Sequence, residues 1–258
     1  MKKLLSLLSL FILISILSPT KVHAFDLTVG AATWYTWWDY KQKQTIANNF
    51  YTDTDMKPAL LAGPVLSLKF NDDFNLSLIL LASEFAGNFD CEKSGYEVSG
   101  GGGTPTPFTN KGTAYRFDVD ITLNYRLNDY FKVFAGAKML HTSTTMGGGE
   151  FESYGPGLGL GFTFPILDNL FLLANLSGFY LWGNEKNYDG GGNFKFKTND
   201  YGINSTLALA YYIAPASTTL SLGGRYQYIE TNYDANEDWT RKCTFYGVTL
   251  SVTYTFSF

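Results

Sequence analysis

The stretch that most constrains this chain is its last, Cys243 to Phe258 (CTFYGVTLSVTYTFSF). Every second residue falls on one of two faces. Thr244, Tyr246, Val248, Leu250, Val252, Tyr254, Phe256 and Phe258 make an apolar face with aromatics toward both ends. Gly247, Thr249, Ser251, Thr253, Thr255 and Ser257 make a small, polar one. Only a β-strand, with its two-residue period, sorts side chains this way. A strand of about 15 residues is far longer than the 5 to 6 usual in a soluble sheet. That length favours a strand that crosses a membrane.

The chain ends on Phe258, after Tyr254 and Phe256. This ending resembles the C-terminal insertion signal of Gram-negative outer-membrane β-barrels, whose closing strand carries an aromatic last residue. The resemblance implies a fold and a location rather than an activity. It also implies partners: outer-membrane lipid and lipopolysaccharide around the barrel, and the barrel-assembly machinery at the C-terminal strand.

The other end of the chain agrees. Lys2 and Lys3 precede a continuous apolar run, Leu4 to Leu17, and Val22-His23-Ala24 places small residues at a cleavage position. Residues 1–24 therefore read as a secretory signal peptide, and residues 25–258 as one barrel domain. The apolar run is shorter than the roughly 20 residues a spanning helix needs. Its removal takes Lys2, Lys3 and Lys21 and no acid, so the net charge moves from −4 to −7. That balance argues against a nucleic-acid partner. An aromatic content of 17% with 26 glycines is what alternating lipid-facing and lumen-facing strands require. No His or Cys cluster has metal spacing, and no cofactor is expected.

Ten alternating stretches follow one another: about 26–38, 59–70, 74–85, 114–126, 130–142, 154–164, 170–182, 201–213, 218–229 and 243–258. Tight turns (Asn71-Asp72-Asp73, Leu127-Asn128-Asp129, Leu167-Asp168-Asn169, Ala214-Pro215-Ala216) alternate with long polar connections, one of them the Gly/Pro-rich Ser99 to Pro107. The turn residues are those that tight turns favour. The expected fold is all-β: a single antiparallel transmembrane barrel of about ten strands, with short periplasmic turns, long extracellular loops and both termini in the periplasm. Trp34, Tyr35, Trp37, Trp38, Tyr180, Trp182, Tyr226 and Tyr228 are expected in an outer aromatic girdle. Phe70, Phe74, Tyr130, Phe131, Phe164, Phe171, Tyr211 and Phe258 are expected in an inner one.

Parity assigns the lumen charges: Lys69, Arg116, Asp118, Asp120, Arg126, Lys132, Lys138 and Arg225. Counting back from the turn at Leu127-Asn128-Asp129 puts Lys138 opposite or diagonal to Asp118 and Asp120, so a cross-strand ionic cluster is expected there. Ten strands leave a bore that side chains can fill. A plugged lumen is the leading expectation, and a narrow passage favouring anions is the alternative. Gly155, Gly157, Gly159 and Gly161 point inward and would leave room for bulky neighbours. Cys91 and Cys243 both fall near the outer rim, where a disulfide could join them, provided their Cα atoms come within about 6 Å.

The mature chain has one histidine, His141, with Ser143 on the same lipid-facing side and Glu150 and Glu152 shortly after. A histidine base, a serine hydroxyl and an orienting carboxylate form the constellation of a serine hydrolase. This His-x-Ser resembles the motif of the PagL-type lipid A deacylases, outer-membrane barrels whose catalytic pair faces lipid. The resemblance implies His141 as base, Ser143 as nucleophile and Glu150 or Glu152 as orienting acid. The family carries Asn after the serine, whereas this chain has Thr144, and those barrels have eight strands. Omptin proteases resemble the chain in strand number but need a paired aspartate and histidine, which His141 lacks. Asp234, Asn236 and Asp238 form only a fragment of a calcium loop. The functional expectation is a non-enzymatic barrel, structural or binding through its loops.

Overall fold

A computed structural model describes residues 25–43, 52–85, 87–97, 106–145, 149–187, 194–234 and 236–258. The signal peptide expected at residues 1–24 lies outside the described residues. The strands are β1 (Asp26–Lys43), β2 (Thr52–Met56), β3 (Ala59–Lys69), β4 (Phe74–Ala82), β5 (Phe89–Glu97) and β6 (Thr106–Arg126). They continue as β7 (Phe131–Thr144), β8 (Glu150–Leu167), β9 (Leu170–Asn187), β10 (Phe194–Ile213), β11 (Thr218–Tyr233) and β12 (Asn236–Ser257). Ten of them (β1, β3, β4 and β6 to β12) form one antiparallel barrel. It closes where β1 pairs with β12, from Asp26 opposite Ser257 to Lys43 opposite Thr240.

The tight connections fold as their residues demand. Asn71 Oδ1 accepts from the backbone N–H groups of Asp73 and Phe74, and Asn128 Oδ1 from those of Tyr130 and Phe131. These are Asx turns, in which a short side chain replaces a backbone acceptor. The β10–β11 turn is a single 3-10 turn at Ala214–Ala216, ended by Ser217 in the left-handed region.

At the opposite, loop end the strands run much further than the apolar alternation suggests. Most of the expected polar connections prove to be ladder: β6 begins at Thr106, β10 at Phe194 and β12 at Asn236. There the outward face is polar too, so pairing continues without an apolar stripe to announce it. The second and third wall strands are also broken at one height. The wall passes from β3 to β2 across Lys57 and Pro58, and from β4 to β5 across residues 83–88. Pro58 has no N–H to give a ladder. Ser83 still bonds to the Arg116 backbone, but beyond it Phe85 is exposed and Gly87 stands at φ +118°.

The outer surface carries an apolar band that includes Leu158, Leu160, Leu176, Leu207, Leu222, Val248 and Leu250, all exposed. Tyr35, Trp37, Tyr180, Trp182, Tyr226 and Tyr246 ring its loop end, while Phe74, Tyr130, Phe131, Phe164, Tyr211 and Phe256 ring its turn end. Along β12, Tyr246 to Phe256 is ten steps, about 34 Å of strand and roughly 26 Å of height at a 40° tilt, close to the thickness such barrels present to lipid.

Three sequence expectations are corrected. Trp34 and Trp38 are not girdle residues: at 0% and 6% exposure they fill the lumen. They share parity with buried Thr36, whereas Tyr35 and Trp37 face outward. Phe171 likewise has the inward parity of Phe179. Cys91 and Cys243 are free, buried thiols. Around the wall the order at their height is β12, β1, β2, β5. Three inter-strand steps of about 4.8 Å separate them along the wall, too far for a bridge.

Candidate functional site

Two clusters gather the chemistry of the chain, one across the lumen and one on the outer wall. The luminal cluster is a deck of charges at mid-height. Lys138 stands directly opposite Asp120 in the β6–β7 ladder. Its Nζ donates to Asp120 Oδ1 at 2.8 Å and lies 4.0 Å from Asp118 Oδ2. The Arg116 guanidinium grips Asp118 with two hydrogen bonds, Nε at 2.9 Å and Nη2 at 3.0 Å, and donates to Gln227 Oε1 at 2.8 Å. Arg225 crosses from β11 to Asp120 at 3.3 Å and donates to Asn204 Oδ1 at 3.0 Å. Arg116, Asp118, Lys138 and Arg225 are all buried.

Aromatic rings hold the cations from the other side. The Arg116 guanidinium lies 3.5 Å from the centre of the Phe245 ring, and that of Arg225 lies 4.5 Å from Trp34. Bidentate pairing and stacking are what distinguish arginine from lysine at such sites. Above the deck, Trp34, Trp38, Leu61, Leu81, Phe89, Leu140, Leu181, Ile229 and Phe245 pack as one buried apolar cluster inside the barrel. Below it, toward the turn end, the lumen opens into recesses lined by small and polar side chains.

A second network lies nearer the loop end and is not evident from the sequence. Arg241 Nη1 donates to Glu185 Oε2 at 2.8 Å, the Tyr233 hydroxyl donates to the same oxygen, and Arg241 stacks 4.0 Å from Phe151. Burial pushes the Tyr233 phenol above its ordinary range, so it remains a donor. Arg241 and Glu185 sit in stretches that read as polar loop. The available signal was parity: Glu185 continues the inward set of Phe179 and Leu181.

The other predicted lumen charges lie at the turn end. Lys69 pairs with Asp72 at 2.9 Å and Asp26 at 3.7 Å. The hydrogen bond from Lys69 holds the exposed Asp72 carboxyl below its usual range. Arg126 reaches Asp129 at 3.8 Å. Lys132 has no carboxylate within ion-pair distance among the described residues. Gly161 gives Lys132 room, since a Cβ there would strike its side chain, and Gly159 does the same for Phe134.

On the outer wall, register sets the second cluster. His141 faces Glu152, and Ser143 faces Glu150, across the β7–β8 ladder. His141 Nδ1 lies 3.5 Å from Glu152 Oε1, and its ring lies 5.8 Å from that of Tyr115. Glu150 is instead engaged by Lys186 at 2.7 Å. Of the two acids the motif left open, Glu152 is the one beside the imidazole. At the chain end, Phe258 stacks on Phe25 at 4.8 Å, and Tyr254 meets Phe256 edge-on at 4.5 Å. Asn236 and Asp238, from the calcium-loop fragment, open β12 with side chains outside the described residues. Asp234 instead accepts from Asn199 Nδ2 at 2.6 Å.

Among solved structures, the chain is similar to the outer membrane protease OmpT from Escherichia coli. The TM-score is 0.63 at 11% identity, over 92% of this chain and 100% of that one. This is the fold of an outer-membrane β-barrel. Other matches are the outer membrane protein OprG from Pseudomonas aeruginosa (TM-score 0.34, 14% identity, 92% of this chain and 97% of that) and Neisserial surface protein A (0.35, 13%, 90% and 97%). No protein-family model and no curated protein matches the sequence. Identities this low speak to fold alone.

Proposed function

We propose that this chain is an integral outer-membrane barrel that does not conduct and works from its surface, with its tight turns and both termini in the periplasm. The observation that supports it is the deck. Three cations and two carboxylates meet across the bore, and an aromatic and aliphatic layer packs directly above them. An ion would have to break paired, desolvated charges and then cross a dry layer, a barrier of many kcal/mol. Of the residues of the anion-passage alternative, Lys69, Arg116, Lys138 and Arg225 are each committed to a carboxylate, and Lys132 alone of the five has no ion pair among the described residues. In a planar bilayer the purified, refolded protein should give no discrete current steps. Regular steps from protein shown to be folded would sink this reading.

A second reading rests on the His141–Glu152 pair. An imidazole oriented by a carboxylate, with a serine on the same face at the loop end of the apolar band, is placed to act on an ester at the membrane surface. The reaction would be acyl-ester hydrolysis of an outer-leaflet lipid, with Ser143 as nucleophile. Mass spectra of lipid A from cells expressing wild type and Ser143→Ala test it directly. Loss of one acyl chain in the wild type alone is the expected result, and identical spectra would remove the reading.

A further inference from the structure

Among the described residues, every lumen cation but Lys132 has a carboxylate partner, and Lys132 lines a recess. Lys132 lies near the start of β7, half-buried and pointing inward. It shares an open-ended recess of about 200 Å³ with Asn75, Asn124 and Arg126, and the Lys69, Asp72, Asp73 and Asp129 side chains of the two tight turns rim it. An ammonium drawn out of bulk water without a counter-charge is costly unless something pairs it.

Two neighbours are also incompletely bonded. Asn75 Oδ1 is buried and has no hydrogen-bond partner. Asn75 stands opposite Asn124 in the β4–β6 ladder. The Asn124 amide nitrogen makes only long contacts, 3.3 to 3.5 Å, with Asn75, Ser77 and Thr122. Such bonds are near the limit of what counts as one and are readily exchanged for better partners. A third amide, Asn175, lies over Gly161 beside Lys132, just outside the recess. Among the described residues the recess thus brings together a cation without an ion pair, an orphan acceptor and an adaptable amide. Above, the deck blocks any way through.

We propose that this recess is a binding site for a small anionic sugar, a sugar acid or sugar phosphate, entering from the turn end. Lys132 takes the oxyanion. Asn75 Oδ1 accepts from a hydroxyl, and the Asn124 amide donates to another. A bare anion would leave Asn75 unsatisfied, and a neutral sugar would leave Lys132 unpaired. The two deficits together select a ligand with both groups.

The test uses the refolded barrel in detergent micelles, with glucuronate, glucose and inorganic phosphate titrated separately by calorimetry at neutral pH. Glucuronate should bind saturably, and glucose and phosphate each roughly tenfold or more weakly. Lys132→Met should weaken glucuronate roughly tenfold or more, with the heat-modifiable gel shift reporting a folded barrel. Lys195→Met, an exposed lysine on the outer face, should not change it. The comparison of three ligands in wild type needs no variant and stands if Lys132→Met fails to fold. No saturable glucuronate binding, phosphate binding as tightly as glucuronate, or unchanged binding in a folded Lys132→Met barrel would each overturn the proposal.

Discussion

Asp120→Ala should be the most damaging change of a lumen side chain, lowering stability by about 3 kcal/mol. Asp120 accepts from Lys138 at 2.8 Å and from Arg225 at 3.3 Å, and so joins β6, β7 and β11 across the bore. Removing it strands two cations that are 5% and 7% exposed. Asp118, 4.0 Å from Lys138, is already held by Arg116 and compensates little. The figure sits at the low end for a broken buried pair because Asp120 itself is 22% exposed toward the recess below. Lys69→Ala is the natural contrast. Its pairs are exposed, and such bridges contribute under about 1 kcal/mol. Urea unfolding of the two variants side by side reads the difference. An Asp120→Ala midpoint equal to that of Lys69→Ala would mean that the deck does not hold the barrel together.

Gly136→Val should be worse for assembly than for any single contact. Gly136 faces Thr122 in the β6–β7 ladder. A Cβ at this position would fall on the carbonyl oxygen of Ile121, which is backbone and has nowhere to go. The strands must separate there, losing ladder hydrogen bonds and straining the wall, together about 3 kcal/mol or more. The damage would reach the deck, because Lys138 lies two residues along the same strand and meets Asp120 only while the register holds. Little heat-modifiable barrel should be recovered from membranes expressing this variant. Recovery equal to wild type would show that the wall can bend around a side chain there.

Much of this architecture is legible in the sequence, and the reason is physical. Where a strand has lipid on one side and a polar lumen on the other, its residues alternate, and the alternation in β6 and β12 can be read one residue at a time. Tight turns fix the register, which is how Lys138 can be counted across to Asp120 from Asn128. Legibility fails where the two solvents become one. Beyond the girdles, the outward face of β6, β10 and β12 is polar too, so Thr106–Thr113 and the residues before Cys243 read as loop although they are paired. Inside the barrel, residue type misleads. Trp34 and Trp38, which fill the lumen beside Phe245, look like girdle residues until parity is applied. The pairing of His141 with Glu152 rather than Glu150 depends on the length of the β7–β8 connection, which composition does not reveal.

The break in the wall has a consequence for how the chain can vary. In an unbroken strand such as β8, inserting one residue would turn every later side chain to the opposite face, putting glycines toward lipid and leucines into the lumen. β2 and β5 pair with each other from Thr52 opposite Gly95 to Met56 opposite Cys91, and each is separated from its continuation in β3 or β4 by a break in the strand. Single-residue insertions there stop at the break and leave the bilayer tier in phase. This flank of the rim is insulated from the parity that rules the rest of the barrel, and is the place where its length and surface can drift without disturbing the seal below.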